Sequence, residues 1–170
     1  MTGDKFEPKI IAFICRWGAS AAADLAGVSR VHYPPNAIPI TVKCSGMIDT
    51  RDVLAAFKNG ADGVLIGACQ KGGCHYMRGN ENAAKRMNLL KDAISQLGID
   101  PRRLKFEHIA GFQGARLGVV MEKYVDELKE IGPLELSSEV EKKFEKTAKE
   151  VKEKYQESLS KVAEANIDEI

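Results

Sequence analysis

The chain has 170 residues, of which 44% are hydrophobic, and this is enough for a globular domain with a buried core. Its formal net charge is +1, so it lacks the basic field that is typical of nucleic-acid-binding proteins. No apolar run reaches the roughly 18 residues that a membrane span needs, and residues 1–7 lack the apolar core of a signal peptide. We therefore expect a cytoplasmic protein that binds neither nucleic acid nor membrane.

The first part of the chain alternates predicted strands with predicted helices. Residues 8–14 are almost continuously apolar, which predicts a strand buried on both faces. A short helix should follow, with Ser20 as its N-cap and Gly27 as its C-terminal stop. Residues 38–43 predict the second strand, and Asp49 is expected to cap the helix after it.

The same alternation continues towards residue 130. Residues 63–67 predict a third strand, and apolar residues between 80 and 97 recur with a helical period. Residues 104–109 alternate in polarity, so they predict a less buried edge strand, and residues 113–130 predict another amphipathic helix. Four strand–helix units in succession predict an α/β fold, with a four-stranded parallel sheet flanked by helices in a flavodoxin-like arrangement.

The last part of the chain has a different composition. Residues 137–170 contain neither Gly nor Pro and are rich in Lys and Glu, which predicts one amphipathic helix. We divide the chain into an α/β domain, residues 1–133, and a linker with a helical extension, residues 134–170. The helix is expected either to pack on its own domain or to dock on a partner subunit. Its predicted stripe consists of Val140, Phe144, Thr147, Val151, Tyr155, Leu159 and Val162.

The chain has four cysteines, Cys15, Cys44, Cys69 and Cys74. The first three each follow a predicted strand, and the fourth follows the third at a C-x4-C spacing. Parallel strands bring their carboxyl ends to one edge of the sheet, where open α/β sheets bind ligands, so we expect the four thiols to converge. In a reducing compartment, such a set indicates metal or redox chemistry more often than structural disulfides.

Four thiolates suit either a tetrahedral zinc ion or an iron–sulfur cluster. Structural zinc usually binds two closely spaced cysteine pairs, and the single local pair here argues weakly against it. Iron–sulfur clusters tolerate dispersed ligands, and Gly46, Gly72 and Gly73 would let backbone N–H groups approach the sulfurs. From residue types alone, an iron–sulfur cluster, a zinc site, a dithiol redox site and inert buried thiols all stay open.

Three cysteine-containing motifs are distinctive: Phe13-Ile-Cys-Arg-Trp17, Val42-Lys-Cys-Ser-Gly46, and Gly67-Ala-Cys-Gln-Lys-Gly-Gly-Cys-His-Tyr-Met-Arg-Gly-Asn80. The last is unusual, because Cys-x4-Cys-His-Tyr is soon followed by Gly-Asn. With these motifs, residues 8–133 resemble the delta subunit of methyl-viologen-reducing (F420-non-reducing) hydrogenases.

The resemblance implies a 2Fe–2S protein that passes electrons between a hydrogenase, a formate dehydrogenase or another dehydrogenase and the flavin subunit of heterodisulfide reductase. Such complexes perform flavin-based electron bifurcation in methanogenic archaea, and related modules occur in other anaerobes. Carried over position by position, the cluster ligands would be Cys15, Cys44, Cys69 and Cys74. An electron carrier of this kind needs no substrate site and no catalytic acid or base of its own.

The sequence departs from the family pattern in two places. Many relatives carry further cysteines at the positions of Ile14 and Gly18, and without them one set of four thiols is left, enough for one 2Fe–2S cluster. The chain from about residue 137 extends past the usual family length, which leaves its partner, or the way it holds that partner, open. The alternative function is a zinc-stabilised structural module that mediates interactions within a multisubunit complex.

Overall fold

A four-stranded parallel sheet forms the centre of the computed structural model, which describes residues 6–167 and side chains as far as residue 161. The strand order is β2-β1-β3-β4, which matches the first four strands of the flavodoxin-like order. The predicted α/β fold with a four-stranded parallel sheet is therefore confirmed. The strands are β1 (Ile10–Cys15), β2 (Ala37–Val42), β3 (Gly63–Ala68) and β4 (Leu104–His108).

Five α-helices cover the sheet in the described part of the chain, and none of them has the length and apolarity to cross a lipid bilayer. As predicted, Asp49 caps the second helix: its carboxylate accepts from the N–H of Arg51 at 2.9 Å, and Asp52 completes a capping box. The helices are α1 (Ala21–Val28), α2 (Thr50–Lys58), α3 (Gly79–Gln96), α4 (Gly114–Ile131) and α5 (Ser138–Ile167).

The start of α1 differs from the prediction. Ser20 has helical backbone angles and makes no side-chain hydrogen bond to the helix. The reason is that a π-helical turn, Arg16–Ser20, leads directly from the end of β1 into α1. An N-cap residue normally has extended backbone angles, so Ser20 cannot serve as one here.

The sheet separates two hydrophobic layers. Alternate residues of β1 enter each layer, with Ile10 and Ile14 on the side of α1 and α4, and Phe13 on the side of α2 and α3. The predicted burial of β1 on both faces is therefore confirmed. The fourth strand lies at one edge of the sheet and is mostly half-buried, as its alternating sequence predicted.

The amino-terminal half of α5 packs on the domain itself. It contacts α2 and α3, and Phe144, Ala148, Val151 and Tyr155 are buried, the first three in the same hydrophobic layer as Phe13. The predicted stripe from Val140 to Val151 thus completes one side of the core. Val162, its last residue, lies outside the side chains that the structure describes.

A buried polar network ties the amino-terminal edge of the sheet to the linker before α5. Arg103 donates from Nη1 to the carbonyl of Asp62 at 3.0 Å, and from Nη2 to the carbonyls of residues 132–133 at 2.9 and 3.1 Å. The carboxylate of Asp62 accepts from the N–H groups of Lys9 and Leu134 at 2.8 and 3.0 Å. One arginine and one aspartate therefore fix where the chain leaves α4 and turns towards α5.

Replacing this arginine should destabilise the fold. We expect Arg103→Met to lower the free energy of unfolding by about 2–4 kcal/mol, because it leaves buried carbonyl groups without a donor. The neighbouring Arg102→Met is the matched control, since Arg102 is half-exposed and forms an ion pair with Asp100, which is worth less than about 1 kcal/mol. Urea unfolding followed by circular dichroism measures both values, and equal losses would contradict a special role for Arg103.

Candidate metal centre

The first sulfur pair comes from two neighbouring central strands. Cys15 is the last residue of β1, and Cys69 directly follows Ala68, the last residue of β3. The register of the two strands pairs Ile14 with Gly67, so Cys69 lies one residue beyond the level of Cys15 at the same edge of the sheet. Their Sγ atoms lie 3.4 Å apart, and both side chains are buried.

The second sulfur pair meets at the first residue of α3. Cys44 follows β2, and Cys74 lies in the loop between β3 and α3. A Cβ atom added to Gly79 would lie 2.4 Å from Sγ of Cys44 and 3.5 Å from Sγ of Cys74, so both sulfurs flank the same glycine. A residue with any side chain at position 79 would therefore displace Cys44.

The structure brings the four predicted cysteines together at the carboxyl edge of the sheet. The two pairs adjoin: Sγ of Cys15 donates to the carbonyl of Lys43, next to Cys44, at 3.8 Å, and Asn80, next to Gly79, donates to the carbonyl of Cys69 at 3.1 Å. Within the described residues, no group of three or more His, Cys, Asp or Glu side chains is close enough to hold a single metal ion. The arrangement is thus two adjoining pairs of sulfurs.

Backbone N–H groups at the start of α3 surround the most exposed of the four cysteines. Burial raises the pKa of Cys74, but hydrogen bonds from the N–H groups of Asn80 and Tyr76, from Cys44 and from the N–H of Gly79 outweigh it. The pKa of Cys74 therefore lies below its ordinary value. A helix amino terminus with free N–H groups is a favourable place for negative charge, so its position at the start of α3 favours the thiolate form of Cys74.

Two other thiols are held in their neutral form. Burial raises the pKa of Cys44, and the N–H of Gly46, which donates to its Sγ at 3.4 Å, offsets this only in part. Burial, together with the hydrogen bond to Cys15, raises the pKa of Cys69 to about 12. A cation or a positively charged metal group would be needed to ionise these thiols at neutral pH.

A match to a known family covers the whole cysteine region. Residues 10–132 match the family described as methyl-viologen-reducing hydrogenase, delta subunit. The chain belongs to this family. The resemblance of the cysteine motifs is thereby confirmed, and the matched region ends before α5 begins.

Relatives of the chain fall into two groups. It is 42% identical over 133 residues to the vhc iron-sulfur subunit of the F420-non-reducing hydrogenase of Methanococcus voltae, covering 78% of this chain and 92% of that protein. It is 38% identical over 130 residues to the iron-sulfur subunit of the F420-non-reducing hydrogenase of Archaeoglobus profundus, covering 76% of this chain and 95% of that protein.

The second group consists of much longer proteins. The chain is 43% identical over 143 residues to a ferredoxin:CoB-CoM heterodisulfide reductase subunit of Methanosarcina mazei, covering 84% of this chain. The match spans only 18% of that protein. A segment similar to this delta-subunit chain therefore occurs within a larger heterodisulfide reductase polypeptide.

A buried asparagine attaches the loop of Cys69 to α3. The side-chain amide of Asn80 donates to the carbonyls of Cys69 and Gln70 at 3.1 and 2.8 Å. Its Oδ1 accepts from the N–H of Glu81 at 2.8 Å. In the sequence, only the unusual pair Gly79-Asn80 drew attention to this asparagine.

A long-range arginine contact holds the loop of Cys44. Nη2 of Arg86, on α3, donates to the carbonyls of Gly46 and Ile48 at 2.8 and 2.7 Å. Arg86 was not among the predicted site residues, because no local pattern connects it with a loop about 40 positions earlier.

The glycines that were expected beside the sulfurs have different roles. Gly46 donates its N–H to a cysteine sulfur, as expected. Gly72 and Gly73 instead build the turn between Cys69 and Cys74: Gly72 has a φ of +72°, and the N–H of Gly73 donates to the carbonyl of Gln70 at 3.0 Å. The N–H groups around Cys74 come from residues 76–80 instead.

An exposed apolar patch lies beside the sulfurs. The Trp17 ring stacks on His75 with centroids 3.9 Å apart, and the Tyr76 ring makes a T-shaped contact with the same imidazole, with centroids 5.0 Å apart. Trp17 and Tyr76 are 49% and 50% exposed, and Met47 and Met77 are also exposed. We call these five residues the rim patch.

The thiols should differ in reactivity in the metal-free chain. Because the thiolate is the reactive form and the pKa of Cys74 is lowered, iodoacetamide should modify Cys74 first and at a lower pH than an ordinary cysteine. Cys69, whose pKa is raised to about 12, should stay unmodified at neutral pH. Peptide mapping by mass spectrometry across a pH series measures the order, and equal rates at these two cysteines would contradict it.

Proposed function

We propose that this chain is an electron-transfer subunit that carries one 2Fe–2S cluster on Cys15, Cys44, Cys69 and Cys74. The arrangement of the sulfurs as two adjoining pairs carries the proposal. A 2Fe–2S cluster contains two irons with four thiolate ligands, two on each iron. Cys15 and Cys69 would then serve one iron, and Cys44 and Cys74 the other. When bound, the cluster supplies reversible one-electron chemistry.

The same arrangement favours a cluster over a single zinc ion. Structural zinc takes four ligands at once, with Zn–S distances of about 2.3 Å. The sulfurs lie in two pairs, and one pair for each metal suits a two-metal group better than a single ion that takes all four sulfurs at once.

The chain's own residues would hold and tune such a cluster. Buried Cys15 and Cys69 would keep one side dry, and the N–H groups of Gly46, Gly79 and Asn80 would stabilise negative charge on the other. Hydrogen bonds to sulfur and burial are two of the means by which proteins set cluster potentials.

We propose that the chain passes electrons between a hydrogenase, a formate dehydrogenase or another dehydrogenase and the flavin subunit of heterodisulfide reductase, within an electron-bifurcating complex. Support comes from relatives named as hydrogenase iron-sulfur subunits and as a heterodisulfide reductase subunit. The rim patch supplies an exposed apolar surface beside the sulfurs, where a partner's cofactor could approach.

Metal analysis tests the cofactor. Anaerobically purified chain should be reddish brown and contain about two irons and about two acid-labile sulfides. A colourless chain with about one zinc and no sulfide would contradict the proposal and support the structural zinc module instead.

A glycine variant sharpens this test. Gly79→Ala should lower the iron and sulfide content, because its Cβ would lie 2.4 Å from Sγ of Cys44. Gly27→Ala is the matched control, since a Cβ there meets no atom within 4 Å and should leave the iron content unchanged. An unchanged content in Gly79→Ala would argue against Cys44 as a ligand in this geometry.

The rim patch should contribute to partner binding. We expect Trp17→Ala to weaken the affinity for the flavin subunit of heterodisulfide reductase by about tenfold or more, because exposed aromatic residues often dominate interface energetics. Val28→Ala, an exposed apolar change at the far end of α1, should have little effect. Titration calorimetry with cluster-loaded variants measures both, and equal affinities would exclude this face as the interface.

A further inference from the structure

The helix outside the family match reaches the candidate metal centre. Residues 10–132 match the delta-subunit family, and α5 begins only at Ser138. Tyr155 lies halfway along α5 and is 7% exposed. The guanidinium carbon of Arg86 lies 5.3 Å from the centroid of its ring, within the range of a cation–π interaction.

Arg86 connects this ring to a cysteine loop. Its Nη2 donates to the carbonyls of Gly46 and Ile48, on either side of Met47 in the turn after Cys44. Nε of Arg86 is buried and has no hydrogen-bond partner among the described residues. The Nη2 bonds and the aromatic ring are therefore the contacts that fix the orientation of the guanidinium.

A cleft of about 600 Å³ lies between the turn after Cys44 and α5, and Cys44, Gly46, Met47, Arg86 and Tyr155 are among its lining residues. Ser45 and Ile48 are buried in the domain, whereas Met47 is exposed on the side of the cleft. On that side Arg86 holds the carbonyls of Gly46 and Ile48.

We infer that α5 positions the Cys44 sulfur through Tyr155 and Arg86. The ring of Tyr155 fixes the guanidinium of Arg86, and the guanidinium fixes the turn from Gly46 to Ile48. The fixed turn then directs the N–H of Gly46 at the sulfur. Tyr155 and Arg86 are positioning residues, and their effect on a cluster rests on the proposed function.

Hydrogen exchange tests the inference without requiring a cluster. The N–H groups of Met47 and Ile48 are hydrogen-bonded within the turn, to the carbonyls of Cys44 and Ser45. In the full chain, Tyr155→Leu should accelerate their exchange by about three- to tenfold relative to the amides of α3. Tyr155→Phe keeps the ring face and should stay within about twofold of the unmodified chain.

A matched control separates positioning from general loosening. Phe144→Leu makes the same kind of change at another buried aromatic residue of α5, away from the loop. It should leave the exchange of residues 46–48, relative to α3, unchanged. Equal acceleration by Phe144→Leu and Tyr155→Leu, or none by Tyr155→Leu, would overturn the inference.

A double-mutant cycle tests whether the effect passes through the arginine. Arg86→Gln should itself accelerate exchange of the turn by about tenfold, and Tyr155→Leu added to it should contribute less than about twofold. Multiplicative effects of the two substitutions would show that Tyr155 acts independently of Arg86, and would overturn the inference.

The cluster-loaded chain supplies a separate readout. Tyr155→Leu should shift the reduction midpoint and change the electron paramagnetic resonance spectrum of the reduced chain, whereas Phe144→Leu should change neither. An unchanged midpoint and spectrum in Tyr155→Leu would overturn the inference for the metal centre. If no variant, including the unmodified chain, takes up iron and sulfide, the proposed function fails, and the exchange measurements still decide the positioning of the turn.

Discussion

The contact between the first turn of α3 and the sulfurs of Cys44 and Cys74 is the interaction on which the candidate metal centre depends. The absence of a side chain at Gly79 lets the two sulfurs lie against it, and the N–H groups of this turn direct partial positive charge at Cys74. Asn80 then attaches the loop of Cys69 to the same helix. The sheet places the cysteines at one edge, and the terminus of α3 contacts Cys44, Cys74 and the loop of Cys69.

The sheet and the terminus of α3 differ in how far the sequence could predict their part in the site. Cys15, Cys44 and Cys69 follow recognisable strands, and the geometry of parallel sheets places the ends of such strands at one edge. Their pairing was not predictable, because it depends on the register of the strands. Cys69 lies one residue beyond the level of Cys15, whereas Cys44 lies two residues beyond it and meets Cys74 instead.

The remaining differences between expectation and structure arise from interactions that local patterns do not encode. Ser20 has the residue type of an N-cap, but a π-helical turn gives its backbone a helical conformation. The apolar stripe of α5 predicted a helix with one buried face, but not whether its own domain or a partner subunit covers that face. In the sequence Arg86 looks like any other helical arginine. Only the tertiary fold shows that it binds the turn after Cys44.

The place of α5 in the core has a consequence for biosynthesis. Domains begin to fold from the amino terminus while the ribosome is still extending the chain. All four cysteines, the complete sheet and α3 leave the ribosome before Phe144, Val151 and Tyr155 cover one side of the core. During that interval the apolar face that α5 later covers is still open. The nascent domain therefore exposes this face until the residues of α5 have been synthesised.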